Sequence, residues 1–296
     1  MDKKINILVA GANGFIGRNV ISSLYQFGDI YRLGKTITIE DKVFQIDLIN
    51  REHVDNLFSK DIYYDVLIFL VGLAHSKGSM GTKELHMDTN YGSLVNCLES
   101  MRKYKMVPKK IIFSSTISVY GENLEKMIYD EKCSLNPSSP YAVSKKKAEV
   151  YLINNFSENV WILRYAPVYG NNFTRNIDRR TIIKKKYYKV GCGKRKLSLC
   201  NIDNIKHIFS EILSNNIPNG IFNVSDQNIY TYNDLLHYQN AKSVLKLPRF
   251  AFFILYYIGR IFNINYLIEN SIKLISDNIY PSKKIQGYTK LKATLK

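Results

Sequence analysis

Three side chains in this chain are spaced to relay a proton. The apolar segment 111–113 runs into Ser114-Ser115-Thr116, a hydroxyl cluster at what reads as a strand end, and Tyr141 and Lys145 follow within Tyr-Ala-Val-Ser-Lys. An i, i+4 spacing sets a phenol and an ammonium on one helical face, where the positive charge favours phenolate and lowers the tyrosine pKa from its ordinary value of about 10. The Thr116 hydroxyl can then bond the same substrate oxygen. Such a set moves a proton at an oxygen while a hydride moves at the adjacent carbon, which suits the interconversion of an alcohol and a ketone beside a hydride carrier. Spacing alone does not select Tyr141, because Tyr-x-x-x-Lys occurs five times. Tyr31/Lys35, Tyr238/Lys242, Tyr280/Lys284 and Tyr288/Lys292 have no strand-end hydroxyl cluster before them. Ser138-Ser139-Pro140 adds a cap and a proline at the first helical position, which puts Tyr141 and Lys145 in the opening turns of a helix.

A site for the hydride carrier is written near the N-terminus. Ala10-Gly11-Ala12-Asn13-Gly14-Phe15-Ile16-Gly17 follows the apolar run 5–9 and precedes an amphipathic stretch over 18–27. A glycine-rich turn between a buried strand and a helix binds a dinucleotide pyrophosphate: Gly11 permits the turn, Gly14 lets the backbone approach the phosphates, Gly17 allows close helix packing, and the helix N-terminus faces the anion. Asn13, Phe15 and Ile16 lie within the same turn. The next strand ends in Gly34-Lys35, where a fold selecting NAD would place an acid for the ribose hydroxyls. With no carboxylate there and Lys35 available for a 2′-phosphate, NADP(H) is the expected cofactor and NAD(H) the alternative.

Positioning these groups requires a layered α/β framework. Short apolar runs at 5–10, 30–33, 43–46, 66–71, 111–114 and 161–164 alternate with amphipathic stretches such as 90–104 and 141–155. That order predicts an α/β fold with a doubly wound parallel sheet covered on both faces. Residues 1–167 form the expected dinucleotide domain, and 168–296, more basic and Asn-rich, a smaller substrate domain from which 221–224 returns as a strand. The net charge of +17 is concentrated: residues 171–196 hold ten Lys or Arg against Asp178 alone. This block suits a diphosphate, and no zinc-finger, helix-turn-helix or RNP-type pattern accompanies it, so nucleic acid is not an expected partner. Cys97, Cys133, Cys192 and Cys200 are scattered and form neither a disulfide framework nor a metal set. Met1-Asp2-Lys3-Lys4 leads straight into a strand, which implies a cytoplasmic protein. The apolar stretch 250–258 falls short of the roughly 20 residues needed to span a bilayer. We expect it to form a buried or lid-forming helix, with peripheral membrane contact, favoured by Arg249 and Arg260, as the alternative.

Taken together, GANGFIG, SSTISVYG, YAVSK and Leu163-Arg164-Tyr-Ala-Pro-Val-Tyr-Gly170 resemble an extended short-chain dehydrogenase/reductase of the nucleotide-sugar epimerase/dehydratase family. The likeness runs to about residue 225. It implies a Rossmann-type sheet with a smaller C-terminal substrate-binding domain, a catalytic set of Thr116, Tyr141 and Lys145, and a homodimer formed through 90–104 and 141–155. It also implies Asp47-Leu48 as an adenine contact, Arg195 or Lys196 as a diphosphate contact, and Asn90 as a structural asparagine. Gly72-Leu-Ala-His75 is similar to members acting on UDP-N-acetyl sugars, which makes His75 a substrate candidate. Ile117-Ser118 stand where dehydratases carry an acid, and Pro167 where galactose-type epimerases often carry Asn. The reading is therefore NADPH-dependent reduction at C4 of a UDP-4-keto-6-deoxy-N-acetylhexosamine for surface-polysaccharide synthesis. A UDP-sugar 4-epimerase using NAD is the first alternative, and a catalytically silent NADP-binding module the second.

Overall fold

The computed structural model of the chain describes residues 4–35, 42–60, 62–73, 82–121, 123–170 and 172–296. Two compact units result. The first comprises the described residues up to Val119 with Ser139–Arg164 and Ile208–Phe222; the second comprises those of Tyr120–Ser138, Tyr165–His207 and Asn223–Lys296.

The alternation seen in the sequence becomes β1 (Ile5–Ala10), α1 (Phe15–Leu24), β2 (Gly28–Gly34), β3 (Val43–Gln45), α2 (Arg51–Phe58), β4 (Val66–Phe69), α3 (Lys83–Met87), α4 (Ser93–Lys103), β5 (Lys110–Thr116), α5 (Pro140–Phe156) and β6 (Val160–Tyr165). A seven-stranded sheet runs β3-β2-β1-β4-β5-β6 and closes with Gly220–Val224. β1 lies parallel to β2 and β4, with Ile7 opposite both Ile30 and Val66, and β4 lies parallel to β5. This is the doubly wound α/β sheet that the sequence implies. Every residue of β4 and β6 is buried, as expected of parallel strands covered on both faces. The strand order reverses between β1 and β4, and open α/β sheets bind ligands at the carboxyl ends of strands beside such a reversal. Leu8, Leu67, Phe69, Phe113, Leu152 and Ile162 fill the core on which α4 and α5 rest.

Local chemistry fixes the helix starts. Asn50 caps α2 by accepting from His53 N. Pro140 takes the first position of α5, but the side chain of Ser139 at the N-cap makes no capping hydrogen bond, so this helix starts on the fixed proline φ rather than on a hydroxyl cap. The stretch expected as one helix over 90–104 begins instead with a π-turn, Asp88–Gly92, before α4. Asn90 within it is wholly buried, its side chain engaged with residues distant in sequence.

The second unit is built from short strands. Lys196–Leu197 pairs with Tyr230–Thr231, Cys200–Asn201 with Val168–Tyr169, and Lys186–Val190 lies between Ile182–Ile183 and Val244–Leu247. Its core gathers Tyr169, Leu197, Leu199, Tyr230 and Leu235. The buried Asp226 accepts from Tyr169 Oη at 2.7 Å, Tyr230 Oη at 3.0 Å, Asn201 N at 2.7 Å and Asn204 Nδ2 at 2.8 Å. The apolar stretch 250–258 does not become a buried helix. Arg249–Ile261 forms a hairpin with Asn265–Ile275, and only Gly259 of the first helix is buried. No described helix is long and apolar enough to cross a membrane.

Candidate active site

The glycine turn is closed by backbone contacts. Gly11 adopts φ +82°, and a Cβ there would lie 2.9 Å from Leu70 C and Val71 N at the end of β4. A Cβ on Gly17 would lie 2.4 Å from the Ala12 carbonyl oxygen, so only glycine lets α1 start this close to β1. Gly14 N donates to Gly11 O at 3.0 Å, and the N-terminus of α1 carries neither a side-chain cap nor an acid in its first turn. These features fit a dinucleotide pyrophosphate: a turn without side-chain bulk leads into an uncapped helix dipole. Phe15 and Ile16 are half-buried in that first turn. Asn13 reaches the end of β2, its Nδ2 lying 3.0 Å from where a Cβ on Gly34 would sit.

The fold supplies the carboxylate missing from β2. Asp47 Oδ2 lies 3.1 Å from Lys35 Nζ, while Oδ1 accepts from Ile49 N at 3.1 Å. Partial burial raises the Asp47 pKa, but the Ile49 amide and Lys35 outweigh it and hold the carboxyl below the usual range. Leu48 is buried, and Asn96 Nδ2 fixes this turn through the Leu48 and Ile49 carbonyls. Lys35 and Asp47 are thus brought together, and an anion approaching Lys35 meets a charge already shared.

Thr116 at the end of β5 lies close enough to Tyr141 in the first turn of α5 for its hydroxyl to lower the Tyr141 pKa. Thr116 Oγ1 accepts from Ser118 N at 3.2 Å, which leaves its own proton for the Tyr141 oxygen. Tyr141 is half-buried, and desolvation pushes its pKa up to about 12 against the lowering effect of Thr116. The structure corrects the simple helical-face argument for Lys145. Its ammonium, on a side chain 2% exposed, donates to Val71 O at 3.0 Å and Ser114 O at 2.8 Å and sits 4.6 Å above the Phe113 ring. Its hydrogen bonds go to the carboxyl ends of the sheet rather than to the phenol. Burial brings the Lys145 pKa down to about 7, with the Glu149 charge opposing. Asn90 secures the neighbouring turn: Oδ1 accepts from Leu73 N at 2.6 Å, and Nδ2 donates to Ser144 Oγ at 2.9 Å.

Sequence reasoning missed Glu149, Arg164 and His86 as site residues. Glu149 is wholly buried one turn beyond Lys145 and pairs with Arg164 of β6, with Nη2 to Oε2 at 2.6 Å and Nε to Oε1 at 3.1 Å. It also accepts from the Ser115 hydroxyl, next to Thr116. A signal was present, since Tyr141, Lys145 and Glu149 continue one i, i+4 series. His86 left no such signal. Its buried ring lies 6.5 Å from that of Tyr141, and Nδ1 has no hydrogen-bond partner among the described residues.

Arg195 and Lys196 lie in the second unit. Arg195 Nη1 is 3.5 Å from Asp277 Oδ1, and Lys196 N donates to the same oxygen at 3.0 Å, leaving the Lys196 side chain exposed. The basic block is divided among the helix Arg175–Thr181, the strand Lys186–Val190 and their turns. His75 lies outside the described residues.

With this geometry in view, a family model described as the NAD dependent epimerase/dehydratase family matches residues 7–225. The chain belongs to that family. Among curated members, a putative UDP-glucose 4-epimerase of Methanocaldococcus jannaschii is 32% identical over 176 residues, 55% of this chain and 56% of that protein. The chain spans little more than half the length of the curated epimerase/dehydratase relatives it matches. The Thermotoga maritima UDP-glucose 4-epimerase solved with UDP-glucose superposes with a TM-score of 0.72 at 21% identity, covering 98% of this chain and 95% of that one. A dTDP-4-dehydrorhamnose reductase of Bacillus anthracis solved with NADP gives 0.65 at 19% identity, covering 84% and 86%. These likenesses extend the epimerase/dehydratase fold over nearly the whole chain. The family is enzymatic, with epimerases, dehydratases and reductases of nucleotide sugars among its members.

Proposed function

We propose that the chain transfers hydride at C4 of a nucleotide-diphosphate sugar, reducing a UDP-4-keto-6-deoxy-N-acetylhexosamine with NADPH for surface-polysaccharide synthesis. The observation that carries this reading is the Thr116–Tyr141 hydroxyl pair at the end of β5, with a buried lysine one turn along α5. The Gly11–Gly17 turn would hold the pyrophosphate, Asn13 and Lys35 the adenosine ribose, Asp47 and Leu48 the adenine, and Tyr141 and Lys145 the nicotinamide ribose. The bound nicotinamide supplies the hydride. Tyr141 donates its proton to the developing C4 alkoxide and regains one from solvent, so ketone, hydride and proton balance as alcohol. Thr116 would orient the same oxygen, and Lys145 would supply positive charge in its protonated form. His75, Arg195 and Lys196 remain the proposed sugar and diphosphate contacts. Two copies would pair through α4 and α5, where Val150 and Ile153 are 43% and 39% exposed.

The Lys35–Asp47 pair favours a second reading. A 2′-phosphate on Lys35 would also face the Asp47 carboxylate, whereas NAD brings no such charge. With NAD retained to take up and give back the C4 hydride, Tyr141 as phenolate would first accept the C4 hydroxyl proton and would return it once hydride had been added to the opposite face of the ketone, giving a 4-epimerase. Incubation with UDP-4-keto-6-deoxy-N-acetylglucosamine while NADPH and NADH consumption are followed separately tests both. Stoichiometric NADPH oxidation supports the reductase. No oxidation, with NAD released on denaturing the protein and epimerised UDP-hexose formed, supports the epimerase. Absence of both results would sink the C4 assignment.

A further inference from the structure

The helix Arg249–Ile261 is apolar and uncovered. Phe250, Ile254, Tyr257 and Ile261 fall on one helical stripe and are 66%, 54%, 58% and 73% exposed. Phe262 at 69% and Tyr266 at 73% carry the stripe round the turn. An aromatic side chain presents roughly 150–250 Å², so at these exposures the four aromatics alone give roughly 400–650 Å². That is as large as the largest apolar patch on an ordinary monomer, about 300–600 Å², before the isoleucines are counted. The support beneath it is fixed. Ile264 N donates to Gly259 O at 2.8 Å, and the helices cross so closely at Gly259 that a Cβ there would lie 2.9 Å from Ile268 Cγ1.

Cations stand at the ends of the stripe and in the small sheet whose last strand leads into it. Arg249 and Arg260 stand near its two ends. The strand Val244–Leu247, which enters the helix through Pro248, sets Lys246 opposite Lys189 in a parallel register. Lys184 and Lys185 form the exposed turn between the other two strands of that sheet, where Ile183 and Leu245 are 47% and 50% exposed. The nearby acids are engaged within the unit. Asp178 accepts from Thr174 and Gln239, Asp277 binds Arg195 and the Lys196 amide, and Glu269 lies 3.8 Å from Lys273.

We infer that this face docks on the surface of an anionic membrane, with the stripe entering the boundary between headgroups and acyl chains and these lysines and arginines meeting lipid phosphates. A thirteen-residue helix is about 20 Å long, too short to cross, but it can lie in the interfacial plane with one face buried. A second copy is the poorer occupant. Symmetric pairing would place two basic blocks against each other on chains of net charge +17, and the centres of protein interfaces are depleted of lysine. Anionic lipid supplies the opposite charge.

The test is sedimentation of the full chain with vesicles of phosphatidylcholine alone and of equimolar phosphatidylcholine and phosphatidylglycerol. The expected result is at least tenfold tighter binding to the mixed vesicles, weakened by salt. The double variant Ile254→Glu/Phe262→Glu should lose at least tenfold in affinity, and Lys184→Glu/Lys185→Glu should lose the preference for anionic lipid, each retaining the circular dichroism and unfolding curve of the parent. Failure of the parent to pellet with mixed vesicles at low salt overturns the proposal. So does a concentration-dependent dimer that Ile254→Glu/Phe262→Glu abolishes, because a second copy would then cover the stripe.

Discussion

Replacing Lys145 by methionine should remove a pH dependence from the stability of the first unit. The wild-type side chain has an ordinary pKa of 10.5 when unfolded and about 7 when buried in the folded chain. Below about pH 7 both states are charged, and the folded state bears the whole cost of burying the ammonium. Between about 7 and 10.5 the unfolded chain binds a proton that the folded chain has released, so wild-type stability rises with pH across that window. The full difference corresponds to about 5 kcal/mol, and the part recovered between pH 6 and pH 9.5 to about 3 kcal/mol. The thioether of the Lys145→Met variant titrates nowhere in the range. Loss of the bonds to Val71 O and Ser114 O lowers the variant's stability by roughly the same amount at every pH, and the remaining titrations cancel between the two proteins. Trp161 is the sole tryptophan and is buried in β6 of the same unit, so its fluorescence in urea reports the relevant transition. With no nucleotide added, wild type should gain roughly 2–4 kcal/mol on the variant between pH 6 and pH 9.5. A difference constant within about 0.5 kcal/mol would show that the Lys145 ammonium is not desolvated.

Tyr141→Phe removes the proton donor without touching the glycine turn, so kcat should fall about 10²- to 10⁴-fold while calorimetry shows nucleotide affinity little changed. Glu149→Gln removes the carboxylate that balances the buried Arg164 charge and should cost about 3–5 kcal/mol in the same urea assay, whereas Glu149→Gln/Arg164→Met should recover much of that loss. Lys35→Ala should weaken NADPH about tenfold relative to NADH if the lysine holds a 2′-phosphate, and equal loss for both cofactors would remove Lys35 from that role. Gly259→Ala forces the hairpin helices apart against Ile268 and Leu267; amides of 249–275 should exchange faster by a free energy of about 1–3 kcal/mol, while Trp161 unfolding stays unchanged.

Periodicity carried the centre of the sheet because β1, β4, β5 and β6 are short apolar runs separated by helices, and parallel burial leaves little room for other readings. The glycine turn was legible for a related reason, as its constraint is local: Gly11 and Gly17 are required by backbone atoms of Leu70, Val71 and Ala12. Tyr141 and Thr116 could be chosen by context, but where Lys145 spends its hydrogen bonds could not, since Val71 and Ser114 reach it only through strand order. The same holds for Asp47, whose carboxylate arrives at the end of β2 from beyond β3. The stretch 250–258 failed for the opposite reason. Hydrophobicity was read as burial, whereas whether an apolar helix is covered depends on what packs over it, and over Arg249–Ile261 almost nothing in the second unit does.

The buried charges around α5 explain why Lys145 is so far from its ordinary pKa although a carboxylate follows one turn later. Glu149 is committed elsewhere: its two oxygens bind the Arg164 guanidinium, and one also takes the Ser115 hydroxyl. Its field supports the ammonium, but its hydrogen bonds do not. Arg164 in turn is buried in β6, so releasing Glu149 to Lys145 would take the carboxylate from a buried guanidinium. Lysine is thus left to two neutral carbonyls and the Phe113 face, partners that orient the ammonium without compensating its desolvation. A second anionic or strongly accepting group brought to Lys145 would raise its pKa and fix the charged form. The arrangement therefore makes the charge at this point of the site depend on what is bound there, with Glu149–Arg164 holding the surrounding sheet constant while it changes.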